Sequence, residues 1–318
     1  MRLRIAFIAG MLLASLSAAS AQDFRVTLLG TGSPNPLPDR FGPATLVEAG
    51  QEKLLFDAGR GVTIRLNQVK VPIGALTATF LTHFHSDHVN GLPDLWLTGW
   101  IDRPFGARRG PFRIIGPTGT TALMQNLEKA YADDIRIRWD DEHFQMEAIA
   151  IAPSEFREDG IVYSHNGVTV TAFEVDHGKY IKPAYGYRVD YSGRSVIISG
   201  DTRYSENLIR HSEGATLIVH EVCASDPELL RKNLIVQTIF AHHTSPQEAG
   251  RIFTHLQPKL AAYTHLVLIG SVNVTPPTPR DVEIQTRETY SGPLAIGTDL
   301  MAFDLREDKV DVIANAAR

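Results

Sequence analysis

The apolar and polar positions fall into two successive runs of short segments. Residues 24–33, 44–50 and 53–59 alternate or run apolar and stop at glycines, which predicts three strands. Residues 61–69 suit a short helix, and 78–83 (ATFLTH) a strand that opens into a loop. A helix over 90–101, a strand over 112–117 and a helix over 118–134 complete the first run. The second run places strands at 168–177, 184–190, 195–201, 216–222 and 258–266. It adds a helix over 245–256, entered by Ser245 and Pro246, and another over 279–290. No repeat, low-complexity tract or linker divides these runs, so residues 22–318 are read as one α/β domain of two sheets covered by helices.

The first 21 residues stand apart. MRLRIAFIAGMLLASLSAASA has a basic start, an apolar run from Ile5 to Leu16 and an Ala19-Ser20-Ala21 cleavage site. The apolar run is too short to span ~30 Å of hydrocarbon. The expectation is a signal peptide over 1–21 and a periplasmic or secreted protein with no membrane attachment after cleavage. Removing the leader takes Arg2 and Arg4 with it and leaves a formal net charge of −7. That balance argues against a nucleic-acid scaffold, which carries a basic face. The one cysteine, Cys223, cannot form an internal disulfide; its apolar setting, LIVHEVCA, predicts burial rather than a catalytic thiol.

The chemistry concentrates in residues 82–94, THFHSDHVNGLPD, where His83, His85, Asp87 and His88 fall within six positions. Packing gives no reason for that clustering, whereas imidazole and carboxylate are metal ligands. His83 and His85, two apart in an extended loop, can point to one side. Asp87 and His88 follow a turn and can point elsewhere, which suits two ions better than one. His177, Asp201 and His265 also sit at strand ends, where a sheet can aim side chains at a common point.

THFHSDHVNGLPD resembles the signature of the metallo-β-lactamase-fold hydrolases. FEVDHG around His177, SGDTR around Asp201 and YTHL around His265 resemble that family's later motifs, in its order. The resemblance implies an αββα four-layer sandwich of two mixed β-sheets with metals at one edge. It implies two Zn²⁺ per chain, one on His83, His85 and His177, the other on Asp87, His88 and His265, with Asp201 bridging. Such a site keeps positions open for a shared water whose pKa falls to ~7, with Asp87 at once ligand and catalytic group.

AFEVDHGKYIKPAYGYRVD, VHEV and AHHTSPQEAGRIF further resemble ribonuclease Z and its relatives, which include secreted arylsulfatases. That branch implies a proton donor at His243, with His242 as the neighbour one position out. Glu221 either orients His243 or is a surface residue at a strand end. Arg203 either faces an anionic substrate or lies in a solvated turn, and Trp96 and Trp100 either pack in the core or wall a pocket. Ribonuclease Z enzymes carry a tRNA-gripping arm where this chain has only VDYSGRSVIIS. With the net charge and the leader, that absence turns the reading from tRNA processing to an exported two-zinc hydrolase of small anionic esters, arylsulfatase or phosphodiesterase in type. The expected partner is a small-molecule ester and not nucleic acid, and a homodimer is compatible with the chain. A lactonase or other carboxyl-ester hydrolase is the alternative; a ribonuclease Z-type endonuclease or a non-catalytic zinc-binding protein stands behind it.

Overall fold

Most strands are buried on both faces, and their pairing builds two sheets. In this computed structural model residues 23–318 are described, so the leader expected over 1–21 lies outside the described residues. The strands are β1 (Phe24–Gly30), β2 (Ala44–Ala49), β3 (Glu52–Phe56), β4 (Ala78–Phe80), β5 (Phe112–Pro117), β6 (Ile151–Phe156), β7 (Gly160–His165) and β8 (Val168–Glu174). They continue as β9 (Tyr185–Tyr191), β10 (Arg194–Ile198), β11 (Leu217–Ser225), β12 (Leu260–Ile269), β13 (Leu294–Ile296), β14 (Ala302–Leu305) and β15 (Val310–Ile313). One sheet runs β15-β14-β1-β2-β3-β4-β5-β6, the other β13-β12-β11-β10-β9-β8-β7. Both are mixed: β3 to β6 and β10 to β13 are parallel, the remaining pairs antiparallel.

The helices are α1 (Val62–Gln68), α2 (Ser86–Val89), α3 (Leu92–Trp100), α4 (Thr120–Ala130), α5 (Ala132–Glu142), α6 (Met146–Ile149), α7 (Glu206–Ser212), α8 (Pro227–Lys232), α9 (Leu234–Phe240), α10 (Pro246–Leu256) and α11 (Pro279–Arg287). Three apolar clusters separate the layers. Phe24, Val26, Phe56, Phe80, Tyr187 and Val219 pack between the sheets. Leu46, Leu66, Leu95, Trp96 and Met124 seal α1, α3 and α4 onto the first sheet. Ile218, Leu208, Phe253 and Val282 do the same for α7, α10 and α11 on the second. The result is the αββα sandwich the sequence implied. β11 is buried along its whole length, as a parallel strand covered on both faces must be, and Cys223 lies within it.

Ser245 and Glu248 close a reciprocal capping box at the start of α10, with Pro246 at its first turn. Trp96 and Trp100 belong to the core, and each indole N–H donates to a carbonyl at 2.8 Å, Ile149 and Gln145 respectively. The hairpin between β9 and β10 is tight, with Tyr191 paired to Arg194 across Ser192 and Gly193. Strands β6, β7 and β13 and helices α5 to α9 were not anticipated. Nor was the return of β14 and β15 to the first sheet, where Asp304 takes Arg25 in a two-armed ion pair at 2.6 and 2.9 Å. Among the described residues no helix is long and apolar enough to cross a membrane.

Candidate metal centre

The candidate ligands leave from, or sit near, the C-terminal ends of β4, β8, β10 and β12. His83 and His85 follow β4; His85 caps the single turn of α2, which carries Asp87 and His88. His177 follows β8 and Asp201 follows β10. His265 sits within β12 at a left-handed φ of 43°, where the β11–β12 register shifts. A non-glycine residue in that region is held there by its surroundings, and such strain gathers at functional sites.

Two glycines make the approach possible. A side chain on Gly59 would lie 2.6 Å from the Asp87 carbonyl oxygen, so α2 could not seat against the β3 turn. Gly200 turns the chain before Asp201 at φ 60°, against the Tyr185 carbonyl.

All seven predicted ligands converge. Asp201 Oδ2 lies 3.8 Å from His83 Nε2, 3.4 Å from His88 Nε2, 3.6 Å from His177 Nε2 and 3.3 Å from His265 Nε2. His265 Nε2 is also 3.3 Å from Asp87 Oδ2. Ligand atoms of His83, His85, His177 and Asp201 lie within 4.8 Å of one another, as do those of Asp87, His88 and His265. Burial pushes the His83 and His85 imidazoles down, His83 well below its usual range, and takes His177 to about 4. Burial opposes ionisation of Asp201, yet the neighbouring imidazoles, His265 first, hold its carboxyl well below the usual carboxylate range. Neutral imidazoles around a carboxylate are the donor state a cation requires. His88 moves the other way: burial opposes its charge, but Asp201 and Asp57 outweigh burial.

The donor set passes a test for a divalent cation. Three buried atoms meet here without a hydrogen-bond partner: Nε2 of His83, Nε2 of His88 and Oδ1 of Asp201. Each such group costs ~1–3 kcal/mol when buried unpaired. Cations shared among them would satisfy all three.

Groups outside the ligand set fix the rings. Asp57, itself at φ 60°, accepts from His88 Nδ1 at 2.7 Å and from the Thr82 N–H and hydroxyl, each at 2.8 Å. His177 Nδ1 donates to the His242 carbonyl at 2.9 Å. Sequence reading missed Asp57, because a lone aspartate after a strand reads as a turn residue. Its one signal was its place at the end of a strand parallel to the one delivering the cluster. Asp57→Asn is expected to lower divalent-metal affinity by the ~10–100-fold typical of losing a ligand's carboxylate partner. Competition titration against a chromogenic chelator measures this; an unchanged affinity would refute the role.

His243 rather than His242 faces the centre. Its Nδ1 is 3.2 Å from Glu221 Oε1, and its ring lies 5.0 Å from His177 and 5.7 Å from His265. Glu221 is fully buried, not a surface residue, and its Oε1 also accepts from the N–H of Thr202 and of Thr244. Burial would push His243 down, but Glu221 outweighs it and raises the ring to about 9. Arg203 is exposed and paired with Asp176 at 2.6 Å. A cleft of about 610 Å³ opens onto His85, Asp87, His177, Asp201, His243 and His265, and its far wall is apolar, built by Ile239, Val267, Leu268 and Ile269.

The Beta-lactamase superfamily domain model matches residues 52–266. A ribonuclease Z of Mycobacterium marinum is 38% identical over 244 residues, covering 76% of this chain and 86% of that protein. One of Mycobacterium bovis is 35% identical over 278 residues, 86% of this chain and 96% of that protein. Among solved structures, a metallo-β-lactamase-fold protein of Bacillus subtilis superposes with a TM-score of 0.67 at 20% identity, covering 88% of this chain and 98% of its own. The short form of human tRNase Z gives 0.62 at 22%, covering 89% and 99%.

These relatives overturn two expectations. A sulfuric-ester hydrolase of small molecules has no support among proteins named as ribonucleases, and the exclusion of nucleic acid falls with it. The exclusion leaned on net charge, which averages over the whole surface. Five of the 36 acidic residues lie together on α5, an outer-layer helix carrying Asp133, Asp134, Asp140, Asp141 and Glu142 beside Arg136 and Arg138. Lys179, Lys182 and Arg203, all exposed, follow the candidate ligands His177 and Asp201 within five residues, a local grouping that a net sum conceals. The short β9–β10 hairpin likewise concerns a region outside the cluster and leaves the ligands in place. With the motifs, the layers and the ligand geometry all in agreement, the chain belongs to the metallo-β-lactamase-fold hydrolases, in their ribonuclease Z family.

Proposed function

We propose that this chain is a divalent-metal-dependent phosphodiesterase that cleaves RNA. The observation that carries the reading is the convergence of six candidate ligands around Asp201, in a chain that aligns with 96% of a ribonuclease Z. His83, His85 and His177 would hold one cation and Asp87, His88 and His265 a second, with Asp201 shared; zinc suits this imidazole-rich set. Two bound cations would supply Lewis-acid polarisation of a phosphoryl oxygen and a nucleophile drawn from water at neutral pH.

The remaining work falls to the chain's own groups. Asp87 lines the cleft as an ionised acceptor: burial opposes its charge, but His265 and His88 hold its carboxyl below the usual range. That suits it to orient the attacking water. Nδ1 of His243 faces Glu221, which leaves Nε2 to deliver a proton to the departing oxygen. Glu221 fixes that orientation, and the two backbone N–H groups that bind it fix Glu221 in turn.

A matched pair of chromogenic substrates tests the bond class. The metal-loaded chain is expected to hydrolyse bis(4-nitrophenyl) phosphate, to stop on chelation and to recover with added divalent cation. Hydrolysis of 4-nitrophenyl sulfate with no action on the diester would contradict the reading. Export remains part of the proposal through residues 1–21 alone. It predicts a mature N-terminus at Gln22, and mass spectrometry finding intact Met1 on the accumulated protein would refute it.

A further inference from the structure

Two loops leave the metal centre side by side. Residues 178–183 follow His177, and residues 202–205 follow Asp201. They are locked together: the Arg203 N–H donates to the Asp176 carbonyl at 2.9 Å, and its guanidinium pairs with the Asp176 carboxylate at 2.6 Å. The first loop is closed at its base by the Val175 N–H donating to the Ala184 carbonyl at 3.0 Å. The Gly178 N–H donates to Asp176 Oδ1, also at 3.0 Å. What these anchored loops present outward is unusual for a soluble surface. Tyr180 is 85% exposed, and Tyr204 is 40% exposed on the companion loop. Lys179 Nζ stands 5.0 Å over the Tyr180 ring, and Lys182 on the same loop and Arg203 on the companion loop are exposed. Of their partners, Glu174, 3.6 Å from Lys182, is exposed, and Asp176, paired with Arg203, is half-buried. Such surface pairs are worth only ~0–1 kcal/mol, so a phosphate can displace them.

We infer that these loops form a landing platform for a single RNA strand, with Tyr180 stacking one base and Lys179 and Lys182 holding the flanking phosphates. An exposed aromatic ring among cations is what binds unpaired nucleic acid without reading its sequence, because every base offers a π-face. Anchoring at both ends means that the platform need not be ordered on binding, and Tyr180 is three residues along the chain from His177, which lines the cleft. The inference rests on the RNA reading above and names where that site grips its substrate.

Fluorescence anisotropy with a labelled single-stranded RNA 12-mer and the full chain tests it, alongside cleavage of the same RNA. Tyr180→Ala is expected to weaken binding by ~5–100-fold, the range found for one stacked base. Tyr180→Phe is expected to bind like the parent, since stacking needs the ring and not the hydroxyl. Lys179→Ala with Lys182→Ala is expected to reduce the slope of log Kd against log salt by about 1–2. Parental binding by Tyr180→Ala, equal loss in Tyr180→Phe, or an unchanged salt slope would each overturn the platform while leaving RNA cleavage by the parent chain intact. A parent chain that hydrolyses the nitrophenyl diester but neither binds nor cuts RNA would overturn the RNA reading itself.

Discussion

Asp201→Ala is expected to lose at least one of two bound divalent ions and nearly all hydrolysis. Four imidazole nitrogens lie within 3.8 Å of Asp201 Oδ2, two from each candidate ligand set, so its carboxylate stands between the two. Without it, five histidines and Asp87 face each other with a single negative charge among them. The loss should exceed the ~10–100-fold that follows removal of an outer partner, because a first ligand of both ions is gone. Elemental analysis after dialysis against zinc measures the occupancy. Two ions retained per chain would mean that Asp201 bridges nothing.

The second large effect separates proton transfer from metal binding. His243→Ala is expected to keep the metal content but to slow hydrolysis by the ~10²–10⁴-fold typical of a general acid. Diesters with acidic leaving groups, such as nitrophenols, depart unaided and should lose least. Alkyl and nucleoside leaving groups need the proton and should lose most. A uniform loss would reduce His243 to substrate positioning, and loss of metal would make it a ligand, which its place beside Asp201 and His265 makes chemically reasonable. Glu221→Gln should show a weaker form of the same leaving-group pattern, because it acts only through His243.

What could be read from the chain alone divides along one physical line. His83, His85, Asp87 and His88 were legible because ligands on a single loop and turn leave a local pattern, and α10 was legible because its capping box is local as well. Asp57 was not. Its role exists only because β3 and β4 lie parallel and bring it to His88, 31 residues away. Glu221 stayed ambiguous for the same reason, since its burial depends on three backbone segments closing over it. The C-terminal strands escaped notice because the Arg25–Asp304 pair joins residues 279 apart. The exclusion of nucleic acid leaned on a global sum, which says nothing of how charge is placed over the surface.

The most direct test of the central claim, that this centre cuts RNA through bound divalent metal, is a gel assay with precursor tRNA carrying extensions at both ends. The zinc-loaded chain is expected to give discrete cleavage products that vanish with chelator, return with added cation and fail to form with Asp201→Ala. Intact precursor in the presence of a metal-loaded chain that hydrolyses small esters would contradict the claim.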